Sequence, residues 1–151
     1  MKKIIYFIFC ALIISTATFA QNTTNADQAR MTFEKALVDF NAANYDAFLT
    51  AFTDDFEAFT GVFSPFRIEG KEAWRKFING LRNYAAASYE QRHSKYRSYG
   101  DNTVICNSYF VYTTTSKSGV TEVQNGRETT VLVKMNGKWL IANFHFSGIF
   151  L

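Results

Sequence analysis

Residues 128–147 read ETTVLVKMNGKWLIANFHFS, and this stretch decides the fold. Apolar and polar side chains alternate on both sides of Asn136 and Gly137, as they do in strands with one buried face. A two-residue type I′ turn requires positive φ at both central positions, and an Asn-Gly pair adopts this conformation readily. The pattern therefore predicts that residues 128–135 and 138–147 form an antiparallel hairpin.

The residues before this hairpin change character near position 88. From there onward β-branched and aromatic residues predominate, and turn signals at 100–102 and 116–119 separate further strands. Upstream, apolar residues recur at helical spacing. The predicted elements are helices over 27–41, 44–52 and 71–81, a short strand over 56–60 and a loop over 61–68. Helices followed by long strands predict an α+β domain in which helices cover one face of the sheet.

Residues 1–20 have the three-part layout of a secretory signal peptide. Lys2 and Lys3 form a positive start, an apolar run follows over 4–14, and small residues come last. The apolar run is shorter than the roughly 20 residues that a helix needs to cross a bilayer. Cys10 lies inside this run, which disfavours lipid attachment. The sequence thus predicts an exported protein, periplasmic or secreted, with no stable membrane anchor after processing.

The predicted processing changes the charge balance. The chain has 16 basic and 13 acidic residues; without Lys2 and Lys3 the balance is 14 against 13, so the formal charge falls from +3 to +1. A nearly neutral domain gives no electrostatic support for nucleic-acid binding. A flexible lead over 21–26 and a single domain over 27–151 remain. Cys106 is the one thiol left there, and we expect it to be a buried small apolar residue.

Several segments resemble the nuclear-transport-factor-2-like superfamily. The segments that resemble its C-terminal hairpin are 127–131, 136–139 and 143–148, and the likeness extends upstream so that it covers residues 28–148. The branches that the chain resembles are SnoaL-like proteins and the association domain of calcium/calmodulin-dependent kinase. Because the superfamily includes isomerases, cyclases, dehydratases, ligand binders and oligomerisation modules, the resemblance implies a fold rather than an activity.

The resemblance implies a cone-shaped, strongly curved, mostly antiparallel sheet of the cystatin-like type, packed on N-terminal helices. A pocket is expected between the concave face of the sheet and these helices. The kinase branch carries two arginines in that pocket, and the matching positions here are Phe110 and Thr130. The family's route to anion binding is therefore missing. Strict alternation places Arg127 on the face opposite to Thr130 unless Gly126 forms a bulge.

Three residues are candidates for acid–base chemistry in this pocket: Glu128, Glu57 and His145. Desolvation in an apolar pocket raises the pKa of a carboxyl group, and the carboxylate then becomes a stronger base. Glu128 shares the face of Thr130, and His145 lies in the segment that carries the resemblance. An imidazole can both donate and accept a proton. The alternative for each candidate is a structural role, as a hydrogen-bond or ion-pair partner.

The remaining predictions concern ligands and the core. The predicted pocket residues are Tyr45, Phe110, Tyr112, Glu128, Thr130 and His145. Trp74 and Trp139 are predicted to lie in the core. We expect no metal and no cofactor, because His93 and His145 are on separate strands and no cysteine pair survives the predicted processing.

Three function hypotheses follow. The leading one is an exported domain that binds a small, largely apolar ligand without catalysis, as a homo-oligomer (a dimer or larger). The second is an isomerase, cyclase or dehydratase type of enzyme, with Glu128 or Glu57 as base and His145 or a tyrosine as donor. The third is an oligomerisation module. An aromatic cavity with convergent polar groups would favour the first two, and a filled cone would favour the third.

Overall fold

The computed structural model describes residues 24–61 and 65–149. The predicted signal peptide and residues 21–23 of the predicted lead lie outside the described residues. In the part of the chain that is described, no helix has the length and apolar character needed to cross a membrane.

Helices precede most of the strands, as the sequence predicts. The helices are α1 (Asn25–Asn41), α2 (Tyr45–Leu49) and α3 (Lys71–Gly80), with a 3₁₀ turn at Leu81–Asn83. The strands are β1 (Phe52–Thr60), β2 (Arg67–Glu69), β3 (Ala86–Tyr99), β4 (Thr103–Thr115), β5 (Thr121–Met135) and β6 (Lys138–Gly148).

Several boundaries differ from the predicted ones. Helix α1 begins two residues earlier because the Thr24 hydroxyl oxygen caps it by accepting from the Asp27 backbone N–H at 3.1 Å. Helix α2 is shorter than predicted, and the Asn44 side chain makes no capping bond. Strand β1 therefore begins at Phe52, four residues earlier than predicted, and β2, which overlaps the end of the stretch predicted as a loop, pairs with it antiparallel.

One mixed sheet contains all six strands of the described residues, in the order β2-β1-β6-β5-β4-β3. Strands β1 and β6 are parallel, and every other neighbouring pair is antiparallel. The β5–β6 hairpin turns at Asn136 (φ 50°) and Gly137 (φ 77°), as the type I′ turn requires. The α+β fold and the mostly antiparallel sheet are therefore confirmed.

A bulge in β6 changes which residues of the hairpin face each other. Leu132 pairs with Ile141, but the preceding residue Val131 pairs with Asn143, so Ala142 is one residue extra. Because side chains alternate between the two faces, this shift of one residue inverts the facing of everything beyond it. The sequence does contain a signal for it, since the large buried residues of β6 switch from odd positions (Trp139, Ile141) to even ones (Phe144, Phe146).

The helices pack on one face of the sheet, which we call the helix-covered face; the other is the open face. Between helices and sheet lies a core of mostly aromatic side chains, in which Phe33, Phe52 and Phe56 are almost completely buried. Helix α1 is tied to β3 because the Asn41 side chain exchanges two hydrogen bonds (2.7 and 2.9 Å) with the Tyr89 backbone. Trp74, Trp139 and Cys106 are buried, as predicted.

Gly126 provides a test of the packing between β4, β5 and β6. A Cβ atom at this position would lie 2.5 Å from the Ser147 carbonyl oxygen and would overlap the Phe110 ring. Because the backbone cannot yield cheaply, we expect Gly126→Ala to lower the free energy of unfolding by about 1–3 kcal/mol. Gly80→Ala is the control: its Cβ meets nothing within 4 Å and its φ of −58° is helical, so stability should stay equal or rise. Urea denaturation measures both variants. A Gly126→Ala variant as stable as the wild type would contradict this packing.

Candidate functional site

An apolar cavity lies between the three helices and the helix-covered face of the sheet. Its volume is about 40 Å³ and its surface is entirely apolar. The residues around it come from every helix and from strands β3, β4 and β6: Phe33, Leu37, Phe40, Phe48, Trp74, Phe77, Ile78, Leu81, Tyr89, Tyr112, Phe144 and Phe146. Since one water needs roughly 10–15 Å³, the cavity has room for a few water-sized groups but offers them no polar partner.

A buried carboxyl group lies beside this cavity. Glu128, on β5, has only 2% of its surface exposed. Its oxygens accept hydrogen bonds from the Tyr89 hydroxyl, from the Thr130 hydroxyl at 2.5 Å and from the Gln91 side-chain amide at 3.1 Å. Within the described residues it has no ion-pair partner. Burial raises the pKa of Glu128, and the hydrogen bonds from Thr130, Tyr89 and Gln91 oppose that rise.

Gln91 connects this carboxyl group to a wider polar network. Its amide nitrogen also donates to the Ser108 hydroxyl at 3.0 Å and approaches the Cys106 sulfur at 3.6 Å, while its amide oxygen accepts from the Tyr96 hydroxyl at 2.9 Å. Burial raises the pKa of the Cys106 thiol to about 11, so it is not a thiolate at neutral pH. The network is therefore a fixed set of donors around one carboxyl group rather than a nucleophilic centre.

Tyr89 joins the cavity to the network. Its ring borders the cavity and stacks on Phe110 with centroids 5.4 Å apart, and its hydroxyl donates to Glu128. Burial, followed by the charge of Glu128, raises the pKa of Tyr89, so it remains a donor. Tyr89, Gln91 and Ser108 are not among the predicted site residues. The β4–β5 register could have identified Ser108, because Ser108 and Glu128 pair directly across these strands.

The predicted pocket residues fall into two groups. Tyr112 borders the cavity, and Phe110 and Thr130 lie with Glu128 behind the Tyr89 ring. Tyr45 is buried next to the cavity, where it packs on Phe40 with ring centroids 5.7 Å apart.

The other predicted residues lie on the open face. The β6 bulge places His145 opposite Thr129 and Phe146 opposite Glu128, so His145 is not brought to the pocket side of the sheet. Glu57 pairs with Arg67 at 2.7 Å on this face. Arg127 also lies here, because β5 pairs with β4 in continuous register with no bulge at Gly126. Glu128 is thus the one acid–base candidate on the helix-covered face.

The residues described contain no group of three or more histidine, cysteine, aspartate or glutamate side chains that could hold a metal ion. The arrangement offers instead an apolar cavity, a tyrosine at its wall and a carboxyl group behind that tyrosine.

The raised pKa of Glu128 predicts how stability depends on pH. Folding takes up a proton between pH 4.5, the ordinary glutamate pKa, and the raised pKa of the folded protein. The stabilising contribution is therefore fully present below pH 4.5 and is lost as the pH rises through the folded pKa. Glu128→Gln should remove this decline from the free energy of unfolding, measured by urea denaturation at a series of pH values.

The matched control for this measurement is Glu57→Gln, which makes the same change in a surface carboxylate that pairs with Arg67. That variant should keep the wild-type decline above pH 4.5. If the free energy of unfolding changed with pH in the same way for the wild type and Glu128→Gln, the Glu128 carboxyl group would not be held in its neutral form.

Comparisons with solved structures show the same fold in other proteins. A protein of Xanthomonas campestris, described provisionally as a calcium/calmodulin-dependent protein kinase II association domain, has a TM-score of 0.71 at 19% identity, over 82% of this chain and 86% of that one. A protein of Novosphingobium aromaticivorans, described provisionally as a scytalone dehydratase, has a TM-score of 0.74 at 12% identity, over 82% of this chain and 83% of that one. A nuclear-transport-factor-2-like protein of Salmonella enterica has a TM-score of 0.67 at 16% identity (80% and 88% covered).

The sequence comparison with families is more specific than these structural likenesses. A search among curated proteins found no match. The SnoaL-like domain family matches residues 29–151, which is most of the chain. This chain therefore belongs to the SnoaL-like domain family, and it shares the fold of the nuclear-transport-factor-2-like protein that its hairpin resembles.

Proposed function

We propose that this protein binds a small, largely apolar molecule in the aromatic cavity between its helices and its sheet. The observation that carries the proposal is the cavity itself, which has an entirely apolar surface and a half-buried edge at Leu37 and Tyr112. Apolar pockets with few polar groups are the usual form of small-molecule sites. We further propose that the domain acts after export and as a homo-oligomer, in keeping with the N-terminal sequence and the resemblance.

The size of the cavity restricts the ligand. About 40 Å³ is well below what a drug-sized molecule occupies, so the ligand is a single ring or a short branched chain, or the side chains at the edge move when it binds. A hydroxyl or amine on the buried part of the ligand would lose its water without gaining a partner, and this costs about 1–3 kcal/mol.

Toluene and phenol test the binding proposal. Toluene should raise the midpoint of thermal unfolding in a saturable manner, and phenol should raise it less because its hydroxyl is desolvated without a partner. Leu37→Trp fills the edge of the cavity and should abolish most of the toluene effect. Met31→Trp is the matched control on the same helix, at a side chain that is 59% exposed, and should keep it. Equal responses of both variants, or no response to toluene, would contradict binding in the cavity.

One observation favours an enzyme as the second candidate function. Glu128 is buried, its pKa is raised and the Tyr89 hydroxyl points at it, so the carboxyl group could exchange protons with a substrate. The relative described provisionally as a scytalone dehydratase is consistent with this, although the likeness shows the fold alone. Because the Tyr89 ring stands between the cavity and Glu128, catalysis requires that ring to swing aside.

Proton exchange into a simple ketone tests this second candidate. If Glu128 is a base, its carboxylate takes a proton from the carbon next to the carbonyl, and the electron pair moves to the carbonyl oxygen. In D₂O the wild-type protein should then make acetophenone gain deuterium at its methyl group faster than it does in buffer without protein. Glu128→Gln should slow this protein-dependent exchange by about a hundredfold or more. Glu57→Gln should leave the rate unchanged. NMR measures the exchange, and a wild-type rate equal to that of buffer would leave ligand binding without catalysis.

A further inference from the structure

A polar groove crosses the open face of the sheet, on the side away from the cavity. Its volume is about 450 Å³, and both histidines of the chain, His93 and His145, border it. Lys95 and Arg127 border it as well, together with the side chain of Tyr109. The groove therefore gathers four basic side chains from three strands, β3, β5 and β6.

A bulge in β3 brings His93 into this groove. Arg92 pairs with Tyr109 and Lys95 pairs with Asn107, so one residue of β3 is extra between them. His93 has a φ of 53°, in the left-handed region that few residues other than glycine adopt, and its ring lies edge-on to Tyr109 with centroids 6.2 Å apart. Bulges of this kind re-aim a side chain, and strained backbone persists where the surrounding structure holds it.

The positive charge of the groove is not neutralised by the residues described. Lys95 and Arg127 have no ion pair within that part of the chain. Two carboxylates on the same face have ion-pair partners outside the groove: Glu90 pairs with Arg92 at 2.8 Å, and Glu57 pairs with Arg67 at 2.7 Å. Among the residues that the structure describes, the groove is thus a cationic surface without its own counter-ion.

The register places Arg127 at the centre of the groove. It stands opposite Tyr109 on β4 and opposite Ser147 on β6, and it is the diagonal neighbour of His145. Diagonal neighbours on one face are about 7–8 Å apart at their backbones, which long side chains span. A guanidinium group, an imidazole and hydroxyl groups can therefore converge on one ligand of a few ångströms.

Glu128 also borders the groove, but its carboxyl group does not oppose an anion there. That group is held on the helix-covered face by Tyr89, Gln91 and Thr130, and its raised pKa favours the neutral form.

We propose that this groove is a binding site for a small dianion, a phosphate monoester or a dicarboxylate, with Arg127 as its bidentate partner. The planar guanidinium matches the paired oxygens of phosphate and carboxylate groups. Lys95, His93 and His145 supply further donors around it. The site is separate from the apolar cavity, and its existence does not depend on the function proposed for that cavity.

The ring resonances of the two histidines give a direct readout. Methyl phosphate and succinate, titrated at constant ionic strength into the purified protein, should shift the His93 and His145 signals in NMR spectra and reach saturation. Acetate at the same ionic strength should produce no saturable shift. Arg127→Ala should weaken dianion binding about tenfold to a hundredfold, as the loss of charge-assisted hydrogen bonds predicts. The affinities obtained from the two titrations show whether the groove prefers methyl phosphate or succinate.

Lys117→Ala is the matched control, since it removes one positive charge from the β4–β5 turn, outside the groove. It should leave the affinity unchanged, and urea denaturation should show that both variants are folded. Shifts that stay linear for every anion, or equal losses in Arg127→Ala and Lys117→Ala, would overturn the proposal. A third outcome would also overturn it: at higher protein concentration the sedimenting mass doubles and the histidine signals no longer respond to the anions. A second copy of the chain would then cover the groove.

Discussion

The continuous register of β5 against β4 is the constraint on which the rest of this structure depends. Thirteen residues of β5 pair with β4 from Thr121 to Val133 without interruption, so the side chains of β5 alternate strictly between the two faces. Glu128 and Thr130 consequently share the helix-covered face, and Arg127 and Thr129 share the open face. The sheet thereby separates the Glu128 carboxyl group, whose pKa is raised by burial, from the Arg127 guanidinium, which has no ion pair among the described residues.

The isolation of Glu128 from any cation determines how its surroundings are built. An ionised carboxylate in this position would be strongly disfavoured by desolvation, and no opposite charge in the described residues offsets that cost. Hydroxyl and amide donors surround it instead: Tyr89, Thr130 and Gln91. Such a network stabilises the fold only while every member is satisfied, so it also fixes the Tyr89 ring at the wall of the cavity. The shape of the apolar site therefore depends on a polar one.

How much of this could be predicted from sequence depends on what each feature requires. The hairpin at Asn136-Gly137 and the common face of Glu128 and Thr130 need only turn chemistry and alternation, and both were predicted. The position of His145 cannot be obtained on the same basis. A two-residue turn with unbroken register puts His145 opposite Glu128, whereas the extra residue Ala142 puts Phe146 there. Tyr89 and Gln91 belong to β3, whose register against β4 is fixed by tertiary packing and not by a short turn motif.

The two bulges, at Ala142 and at His93, explain why both histidines lie on the open face. The bulge in β6 turns His145 outward, and the bulge in β3 turns His93 outward while it places Tyr96 opposite Cys106, where the Tyr96 hydroxyl donates to Gln91. The β6 bulge thus supplies His145 to the cationic groove, and the β3 bulge supplies His93 and Lys95 to the groove and Tyr96 to the buried network. A single extra residue in a strand has few local sequence requirements, yet it inverts every side chain beyond it. The chemistry of each face is therefore determined by register as much as by the identity of the residues.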